Sequence, residues 1–342
     1  MSRSRALIGG AGTGLAAAWW LHHASHDAST ASSPHRERWR RWLPLPGLSW
    51  ASAQAQSLNR RLGGDKTVLS VNEWTTWKLV QTSMESTTAR RFLFEPVQDA
   101  AEGITVATST PVEVPPISCV MLRARVDEAS DEVAVRPYNP ITPRFSDGSL
   151  AFVIREYAGG KLSPRLHELR PGDIVEMKGP FEQYRMTAGE HAGRDVVLIA
   201  GGTGVTPCYQ LIQDLVRRRR EGDERRLPAR LLLVFANNSE LEILMRQDIE
   251  ALAESSDGYL QIQYVVKEAP LVPAPNITHG LVTREYLQRV LPPPERDPFV
   301  LVCGPPGMME AVSGPKTKDR KQGELSGALK ALGYREAHVW KL

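Results

Sequence analysis

Two patterns of hydrophobic and polar positions divide the chain. From about residue 67 to 185, short runs rich in β-branched and aromatic residues are separated by turn residues such as Asp147-Gly148 and Pro171-Gly172. The runs read "EWTTWKLVQTSME", "ARRFLFEPV", "ISCVMLRARV" and "LAFVIREY", and a further strand is expected within "RPGDIVEMKGPF". Short strands at this spacing predict a small antiparallel β-barrel or sandwich.

From about residue 194 the pattern changes to continuous apolar runs that alternate with amphipathic segments. The apolar runs, typical of strands buried on both faces, lie at 195–200, 230–236, 260–266 and 299–304. Segments with helical spacing of apolar residues cover 207–220, 239–254, 283–291 and 323–333. This alternation predicts a parallel sheet with helices on both faces. The expected fold is an antiparallel β-barrel domain (67–185) followed by a parallel-sheet α/β domain (194–342).

The N-terminal 66 residues fit neither pattern. After the basic start "MSRSR", residues 6–21 carry no charge, and a helix of sixteen residues spans about 24 Å, slightly less than a bilayer core. Trp19 and Trp20 would serve as interfacial anchors. Residues 1–23 are therefore predicted to be a targeting segment and membrane anchor. A cleaved secretory signal and an unstructured tail are the alternatives.

Residues 24–66 mix Ser, His, Pro and Arg without an apolar period and are predicted to form a flexible linker. The basic, tryptophan-containing stretch 35–42 could instead rest on an anionic membrane surface.

Composition narrows the function only slightly. The net charge is +3, so the chain as a whole gives no argument for nucleic-acid binding. The three cysteines show no CxxC spacing, which argues against a disulfide framework and a zinc site. No metal is expected. The basic cluster 217–226 is either a solvated helix end or a contact for an acidic partner.

Four short motifs carry the candidate chemistry. In "RPYNPITP" (136–143), prolines hold the backbone extended. In "AGGTGVTP" (200–207), three glycines permit close approach to a phosphate or ring, just before a helix whose N-terminus favours anions. "CGPPGMM" (303–309) is a second glycine-rich strand end, and "GGKLSPRL" (159–166) combines a lysine with a possible helix start. Taken singly, each could be a plain turn, and Cys303 could be core filler.

The order of the motifs makes the chain recognisable. "RPYNPIT", "GGKLS", "MKGPFEQY", "GGTGVTP", "CGPPGMM" with "SGPK", and "QGELSGALKALGY" follow one another between about 69 and 342. This ordered set resembles the NADH–cytochrome b5 reductases, within the ferredoxin-reductase-like flavoproteins. It looks closest to the fungal mitochondrial, membrane-anchored type.

The resemblance implies a role for each matching residue. Arg136 would pair with the FAD diphosphate, and Tyr138 would pack on the isoalloxazine ring. Further flavin contacts are implied for Val153, Arg155, Tyr157 and Thr206. The FAD phosphates would be held by Lys161, Leu162 and Ser163. The nicotinamide nucleotide would be lined by Gly202, Thr203, Gly204, Cys303, Gly304, Pro305 and Met308.

The resemblance implies a catalytic role for three residues. Cys303 and Thr203 would position the nicotinamide against the flavin, and Asn139 would lie near the reactive flavin edge. The family usually has Thr at the position of Asn139 and Lys at that of Arg155.

An acidic pair suggests which nucleotide is used. Glu240 and Glu242 follow the second parallel strand, where an adenosine ribose would lie, and no basic residue occurs between Ala236 and Met245. The family carries an acid at the position of Glu242. Carboxylates there would accept from a 2′-hydroxyl and repel a 2′-phosphate, which favours NADH over NADPH. The alternative is that both are helix N-terminal charges.

The resemblance therefore implies a flavoprotein that takes a hydride from NADH onto FAD and passes single electrons to cytochrome b5 or a similar acidic haem protein. The alternatives are the same fold with another acceptor, such as a quinone or desaturase chain, and a non-catalytic flavin-binding redox sensor. The expected location is the mitochondrial outer membrane through a single-pass anchor, or the intermembrane space, with the endoplasmic reticulum as the alternative.

Overall fold

The computed structural model describes residues 69–97, 112–127, 132–142, 144–145, 148–270 and 274–342. The predicted anchor (1–23) and linker (24–66) lie outside these residues. Within the described ranges, no helix has both the length and the apolar character needed to cross a bilayer.

The first part of the chain forms a six-stranded antiparallel sheet in the order β5-β4-β8-β1-β2-β7. Its strands are β1 (Thr75–Met84), β2 (Ala89–Pro96), β4 (Ser118–Asp127), β5 (Glu132–Tyr138), β7 (Leu150–Arg155) and β8 (Ile174–Glu182). The short strands β3 (Val112–Glu113) and β6 (Arg144–Phe145) pair separately. Helix α1 (Leu162–Glu168) packs two leucines into a core that contains Trp77, Phe92 and Phe152.

The second part is a six-stranded parallel sheet in the order β12-β11-β10-β9-β13-β14. Its strands are β9 (Asp195–Gly201), β10 (Arg230–Asn237), β11 (Leu260–Val266), β12 (Ile277–His279), β13 (Phe299–Cys303) and β14 (Val339–Lys341). All seven residues of β9 are buried, as the continuous apolar run predicts. The predicted antiparallel β domain followed by a parallel α/β domain is confirmed. The exact domain limits stay predictions.

The helices of this part of the chain have some limits that differ from the sequence expectation. They are α2 (Ala188–His191), α3 (Val205–Arg220), α4 (Arg246–Glu254), α5 (Arg284–Val290), α6 (Pro306–Val312) and α7 (Gly327–Ala331). The helix expected at 239–254 is broken: Glu240–Glu242 form a 3-10 turn, and Met245 has a left-handed φ of 52°. The helix expected at 323–333 shrinks to α7, because Gly323 and Gly327 both have positive φ.

A buried amide joins the two sheets. Gln210 on α3 is fully buried, and its Oε1 accepts from the Ser118 backbone N–H at 3.1 Å. Its Nε2 donates to the Ser118 carbonyl at 3.1 Å and to the Pro140 carbonyl at 2.8 Å. The amide thus hydrogen-bonds to buried backbone groups of the antiparallel domain, one of which, the Ser118 carbonyl, also accepts from Asn139 at 2.9 Å.

A second contact between the domains is ionic. Arg91 on β2 donates to both Glu85 and Asp248, the latter on α4. Glu85 also accepts from the Met245 backbone N–H at 2.5 Å. Burial lowers the pKa of Arg91, but the charges of Asp248 and Glu85 outweigh this effect and raise it overall. The arginine therefore stays charged and holds the β1–β2 turn on the start of α4.

At the other end of the parallel sheet, Asp195 opens β9 and is 5% exposed. It accepts from Arg230 through two bonds of 2.9 Å and from Arg296 at 3.2 Å. The hydrogen bond from Arg230 is the main cause that lowers the pKa of Asp195, against the effect of burial.

We expect Asp195→Asn to reduce the free energy of unfolding by about 1 kcal/mol at pH 7, because both arginines are half-exposed and screened. Since the folded-state pKa lies below its ordinary value of about 3.9, this contribution is present above that value and is lost as the pH falls through the folded-state pKa. Urea denaturation at a series of pH values measures the difference. Glu254→Gln, on an exposed residue, is the control. If the difference in free energy of unfolding between Asp195→Asn and wild type persists undiminished at pH 2, the ion pairs of the Asp195 carboxylate are not its cause.

Candidate active site

A cleft of about 1110 Å³ is lined by residues from both domains. It lies at the carboxyl ends of β9, β10, β11 and β13, the position where parallel α/β sheets bind ligands. Nearly every residue predicted to bind cofactor or act in catalysis lines it: Arg136, Tyr138, Asn139, Val153, Arg155, Tyr157, Lys161, Leu162, Ser163, Gly202, Thr203, Gly204, Thr206, Cys303, Gly304, Pro305 and Met308. The structure thus brings these residues together, and their individual roles stay predictions.

Close backbone packing forms the floor of the cleft. A Cβ added to Gly204 would lie 2.3 Å from the Cys303 carbonyl oxygen, and one added to Gly201 would lie 2.6 Å from the Met308 sulfur. Gly202 has a φ of +52°, at the start of the 3-10 turn Gly202–Gly204 that leads into α3. Only glycine lets the two strand ends approach this closely. The "GGTG" and "CGPPGMM" motifs are therefore two sides of one surface.

The "RPYNPIT" segment is fixed by its own polar side chains. Thr142 accepts from the Ala151 backbone N–H at 2.9 Å. The Nδ2 group of Asn139 donates to the Ser118 carbonyl at 2.9 Å and to Gln183 Oε1 at 2.7 Å. Burial raises the pKa of Tyr138 to about 12, so its phenol is neutral at physiological pH. Asn139 therefore uses its amide donor within the protein, and Tyr138 offers an uncharged ring to the cleft.

The opposite wall carries Cys303, which is partly exposed to the cleft. Burial raises the pKa of its thiol to about 12, although the charge of Lys316 acts in the opposite direction. The thiol is therefore protonated at neutral pH, and a nucleophilic thiolate is not available. This protonation state suits a residue that packs beside a ring.

The charged residues that line the cleft are all cationic. They are Arg136, Arg155, Lys161, Lys267 and Arg320, and none of the described lining residues is Asp or Glu. Lys161 is exposed and pairs with Glu132 outside the cleft. A cationic cleft floored by glycine turns fits the anionic diphosphates of dinucleotides.

Unpartnered polar atoms point to the same kind of ligand. Both Asn237 side-chain atoms, Nδ2 and Oδ1, are buried and have no hydrogen-bond partner among the described residues, and the same holds for Arg155 Nε. Both residues line the cleft. Buried polar groups are normally satisfied, so these atoms fit a ligand that would bond them.

Of the predicted acidic pair, Glu240 pairs with Arg246 at 2.6 Å and does not line the cleft, and neither does Glu242. The Glu242 carboxylate accepts from Thr87, from Thr88 at 2.7 Å and from Ser86 at 3.3 Å. It also pairs with Arg155 at 2.8 Å. These partners hold it against the β1–β2 turn, and its assignment to the adenosine ribose stays a prediction.

Sequence reasoning missed residues at the edges of the cleft. They include Asn237 and Asn238 at the end of β10, Lys267 after β11, Gly280–Val282 after β12, and Arg320. All of these except Arg320 lie at or just after the end of a parallel strand, so the rule that ligands bind at strand ends could have found them. Arg320 follows no strand and could not have been found in this way.

Comparison with known proteins agrees with this geometry. A family model described as an oxidoreductase FAD-binding domain matches residues 105–186, and one described as an oxidoreductase NAD-binding domain matches residues 198–314. The solved cytochrome b5 reductase domain of Ulva prolifera nitrate reductase superposes with a TM-score of 0.64 at 23% identity, covering 81% of this chain and 100% of that one. The fold and the cleft thus define an FAD-containing oxidoreductase that uses a nicotinamide nucleotide.

Sequence relatives narrow the class further. NADH-cytochrome b5 reductase 2 of Debaryomyces hansenii is 32% identical over 81% of this chain and 85% of its own length. An NADH-cytochrome b5 reductase-like protein of Arabidopsis thaliana is 34% identical over 81% of this chain and 79% of its own. The chain belongs to the NADH-cytochrome b5 reductase family, and its cofactors are FAD and NADH.

We expect Gly204→Ala to reduce the free energy of unfolding by about 2 kcal/mol and to weaken FAD retention, because the new Cβ would overlap the Cys303 carbonyl. Gly307→Ala is a matched control, since Gly307 also lines the cleft but has open space where its Cβ would lie. Urea denaturation and the flavin absorbance of the purified proteins give the two readouts. Equal stability of the two variants would contradict the close packing.

Proposed function

We propose that the protein is an NADH-dependent reductase that transfers electrons to cytochrome b5 or a similar acidic haem protein. The supporting observation is the cleft itself, in which residues implied to hold flavin and residues implied to hold the nicotinamide line one continuous surface. The cytochrome b5 reductase names of the relatives support the choice of acceptor.

FAD, when bound, accepts a hydride and releases electrons one at a time. The protein supplies binding and orientation. Arg136 and Lys161 would bind the FAD diphosphate, and Tyr138 would pack against the ring. Thr203 is placed by its neighbours: its hydroxyl lies 3.4 Å from the Tyr157 hydroxyl, and its carbonyl accepts from Thr206 at 3.0 Å. With the protonated Cys303 opposite, these residues would align the nicotinamide and exclude water.

A basic loop beside the cleft supports an acidic partner. Residues 316–321 read "KTKDRK" and carry four cations and one acid. Arg320 lines the cleft, and neither it nor Lys318 has a carboxylate partner among the residues the structure describes. We call residues 316–321 the basic loop.

A buried lysine binds the backbone on both sides of the basic loop. Lys341 is 2% exposed, and its ammonium donates to the carbonyls of Pro315 at 3.1 Å, Gly323 at 3.2 Å and Glu324 at 3.0 Å. All three of its protons are thereby used. The loop is therefore anchored at a fixed position beside Cys303, where a partner's haem edge would approach.

The alternative basic cluster at 217–226 is neutralised in part. Arg217 pairs with Asp214 at 2.6 Å and with Glu221 at 2.5 Å. Arg218 pairs with Asp223 at 3.0 Å. Arg219 lies over the ring of Tyr259 at 4.8 Å. This pattern favours a solvated helix end over a docking surface for that cluster.

The flavin absorbance of the full-length, FAD-loaded protein should fall (bleach) when NADH is added in the absence of oxygen. Cytochrome b5 should then restore the absorbance and itself become reduced. No bleaching would contradict both the proposed activity and the quinone or desaturase alternatives, and would favour a redox sensor. Bleaching without reduction of cytochrome b5 would favour another acceptor.

A second experiment reverses charges on the basic loop. Lys318→Glu with Lys321→Glu should slow reduction of cytochrome b5 several-fold at low salt and less at high salt, because exposed charges steer association. Reduction of the flavin by NADH should not change. Arg225→Glu with Arg226→Glu makes the same charge change in the 217–226 cluster; if it has the larger effect, the partner binds there instead.

For the location we propose a single-pass anchor in residues 1–23 that holds the protein in the mitochondrial outer membrane. The uncharged run 6–21 after a basic start is the support. Removal of residues 1–30 should move the protein from the membrane fraction to the soluble fraction, with NADH-dependent flavin reduction unchanged. Cell fractionation against markers for mitochondria and endoplasmic reticulum measures both points; a truncated protein that still sediments with membranes would place the anchor elsewhere.

A further inference from the structure

A buried amide lies behind the two walls of the cleft. One wall is the segment 136–142 of the antiparallel domain, and the other is the glycine turn with Cys303. Gln210 follows Thr206 and Pro207 by one turn of α3, so the three residues share one face of the helix. Thr206 and Pro207 line the cleft, whereas Gln210 does not line it and is fully buried. Its side chain is bonded to the antiparallel domain instead.

The hydrogen bonds of Gln210 fix the orientation of its amide. The Ser118 N–H can only donate, so it faces Oε1, at 3.1 Å. The carbonyls of Ser118 and Pro140 can only accept, so they face Nε2, at 3.1 Å and 2.8 Å. Turning the amide over would set donor against donor and acceptor against acceptor. The Gln210 side chain therefore has one well-defined position.

Two of these bonds reach the wall that carries the "RPYNPIT" segment. Pro140, whose carbonyl Gln210 binds, directly follows Tyr138 and Asn139, which line the cleft. The Ser118 carbonyl, which Gln210 also binds, accepts from the Nδ2 group of Asn139 at 2.9 Å. A displacement of Gln210 would therefore move both lining residues relative to the glycine turn.

The other contacts between the domains do not hold this segment. Arg91 and its two acids connect the β1–β2 turn to α4, and Glu242 binds the same turn and Arg155. Among the residues that the structure describes, Gln210 is the only side chain of the parallel domain that hydrogen-bonds residues 136–142. The spacing of the two walls at this place therefore depends on one amide.

We propose that Gln210 is a positioning residue for hydride transfer, which sets the spacing of flavin and nicotinamide by holding residues 138–140 on α3. In the reaction a hydride leaves NADH, which becomes NAD+, and FAD is reduced by the two electrons that the hydride carries. The inference rests on the proposed function, in which Tyr138 packs on the flavin while Thr203 and Cys303 align the nicotinamide. A misplacement of about 1 Å can cost about 10²-fold in rate, so small changes in this spacing are measurable.

Gln210→Met tests the proposal, because it removes the amide and keeps the length of the side chain. In anaerobic stopped-flow reduction of the FAD-loaded protein by NADH, the limiting rate should fall about tenfold. The NADH concentration that gives half this rate should stay within about twofold, since the nucleotide contacts are unchanged. The long-wavelength absorbance of reduced flavin stacked on NAD+ should weaken. This absorbance reports the spacing of the rings and does not depend on turnover.

Asp248→Asn is the matched control. Asp248 accepts from Arg91 in the other contact between the domains and does not line the cleft. Both variants should release FAD at a lower temperature than wild type, but only Gln210→Met should lose rate and long-wavelength absorbance. Gln210→Glu keeps the acceptor for the Ser118 N–H and sets an oxygen against the two carbonyls. It should act in the same direction as Gln210→Met, and it replaces that variant if Gln210→Met does not fold.

Two results would overturn the inference. One is a Gln210 variant whose limiting rate and long-wavelength absorbance equal those of wild type. The other is an equal loss in Asp248→Asn, which would assign the effect to general loosening of the domains. Failure of the proposed function looks different, because the wild-type flavin would then not be bleached by NADH. If NADH bleaches the flavin but cytochrome b5 is not reduced, the acceptor is wrong and the role of Gln210 is unaffected.

Discussion

Gln210 is a fully buried amide on helix α3, and the hydrogen bonds of its side chain go to backbone groups of the antiparallel domain. Helix α3 begins at the glycine turn, and the bonded carbonyl of Pro140 belongs to the segment that carries Arg136 and Asn139. Because the amide is fully buried, breaking these bonds would leave its own polar atoms poorly satisfied, at about 1–3 kcal/mol for each lost bond. The amide therefore keeps the implied flavin segment and the nucleotide turn on the same cleft.

The acidic residues at the domain interface affect the charge of the cleft. Glu85 and Asp248 neutralise Arg91, and Glu242, which does not line the cleft, pairs with Arg155, which does. Acids are thereby drawn into the contact between the domains, and the described lining of the cleft keeps only cations. The same side chains that hold the domains together thus leave the cleft with the charge that dinucleotide phosphates need.

Much of the site could be predicted from the sequence, and what could not be predicted depends on contacts between distant parts of the chain. The order of the motifs identified seventeen residues that the structure places on one cleft. Short glycine and proline motifs can be recognised from the sequence, because each position requires a particular backbone conformation and that requirement is local. The surroundings of Glu242, the turn at Ser86–Thr88 and Arg155, come from the other domain and could not be read from the sequence, and its role stays a prediction. Lys267 follows a parallel strand and could have been found by the rule that ligands bind at strand ends, but its position beside Asn237, thirty residues earlier in the chain, could not.

The sequence by itself determined the two sheet types, their order, and the places where the chain turns. Strand periodicity depends on burial of alternate or successive side chains, and glycine turns depend on allowed backbone angles, so both can be read locally. Only the tertiary structure decided whether each charged side chain faces the cleft or the neighbouring domain. Whether an acid faces a ligand or a neighbouring domain depends on which partners lie within about 3 Å, and those partners are distant in sequence. For this protein, that difference separates Glu242, held between the domains, from Lys267, which faces the cleft.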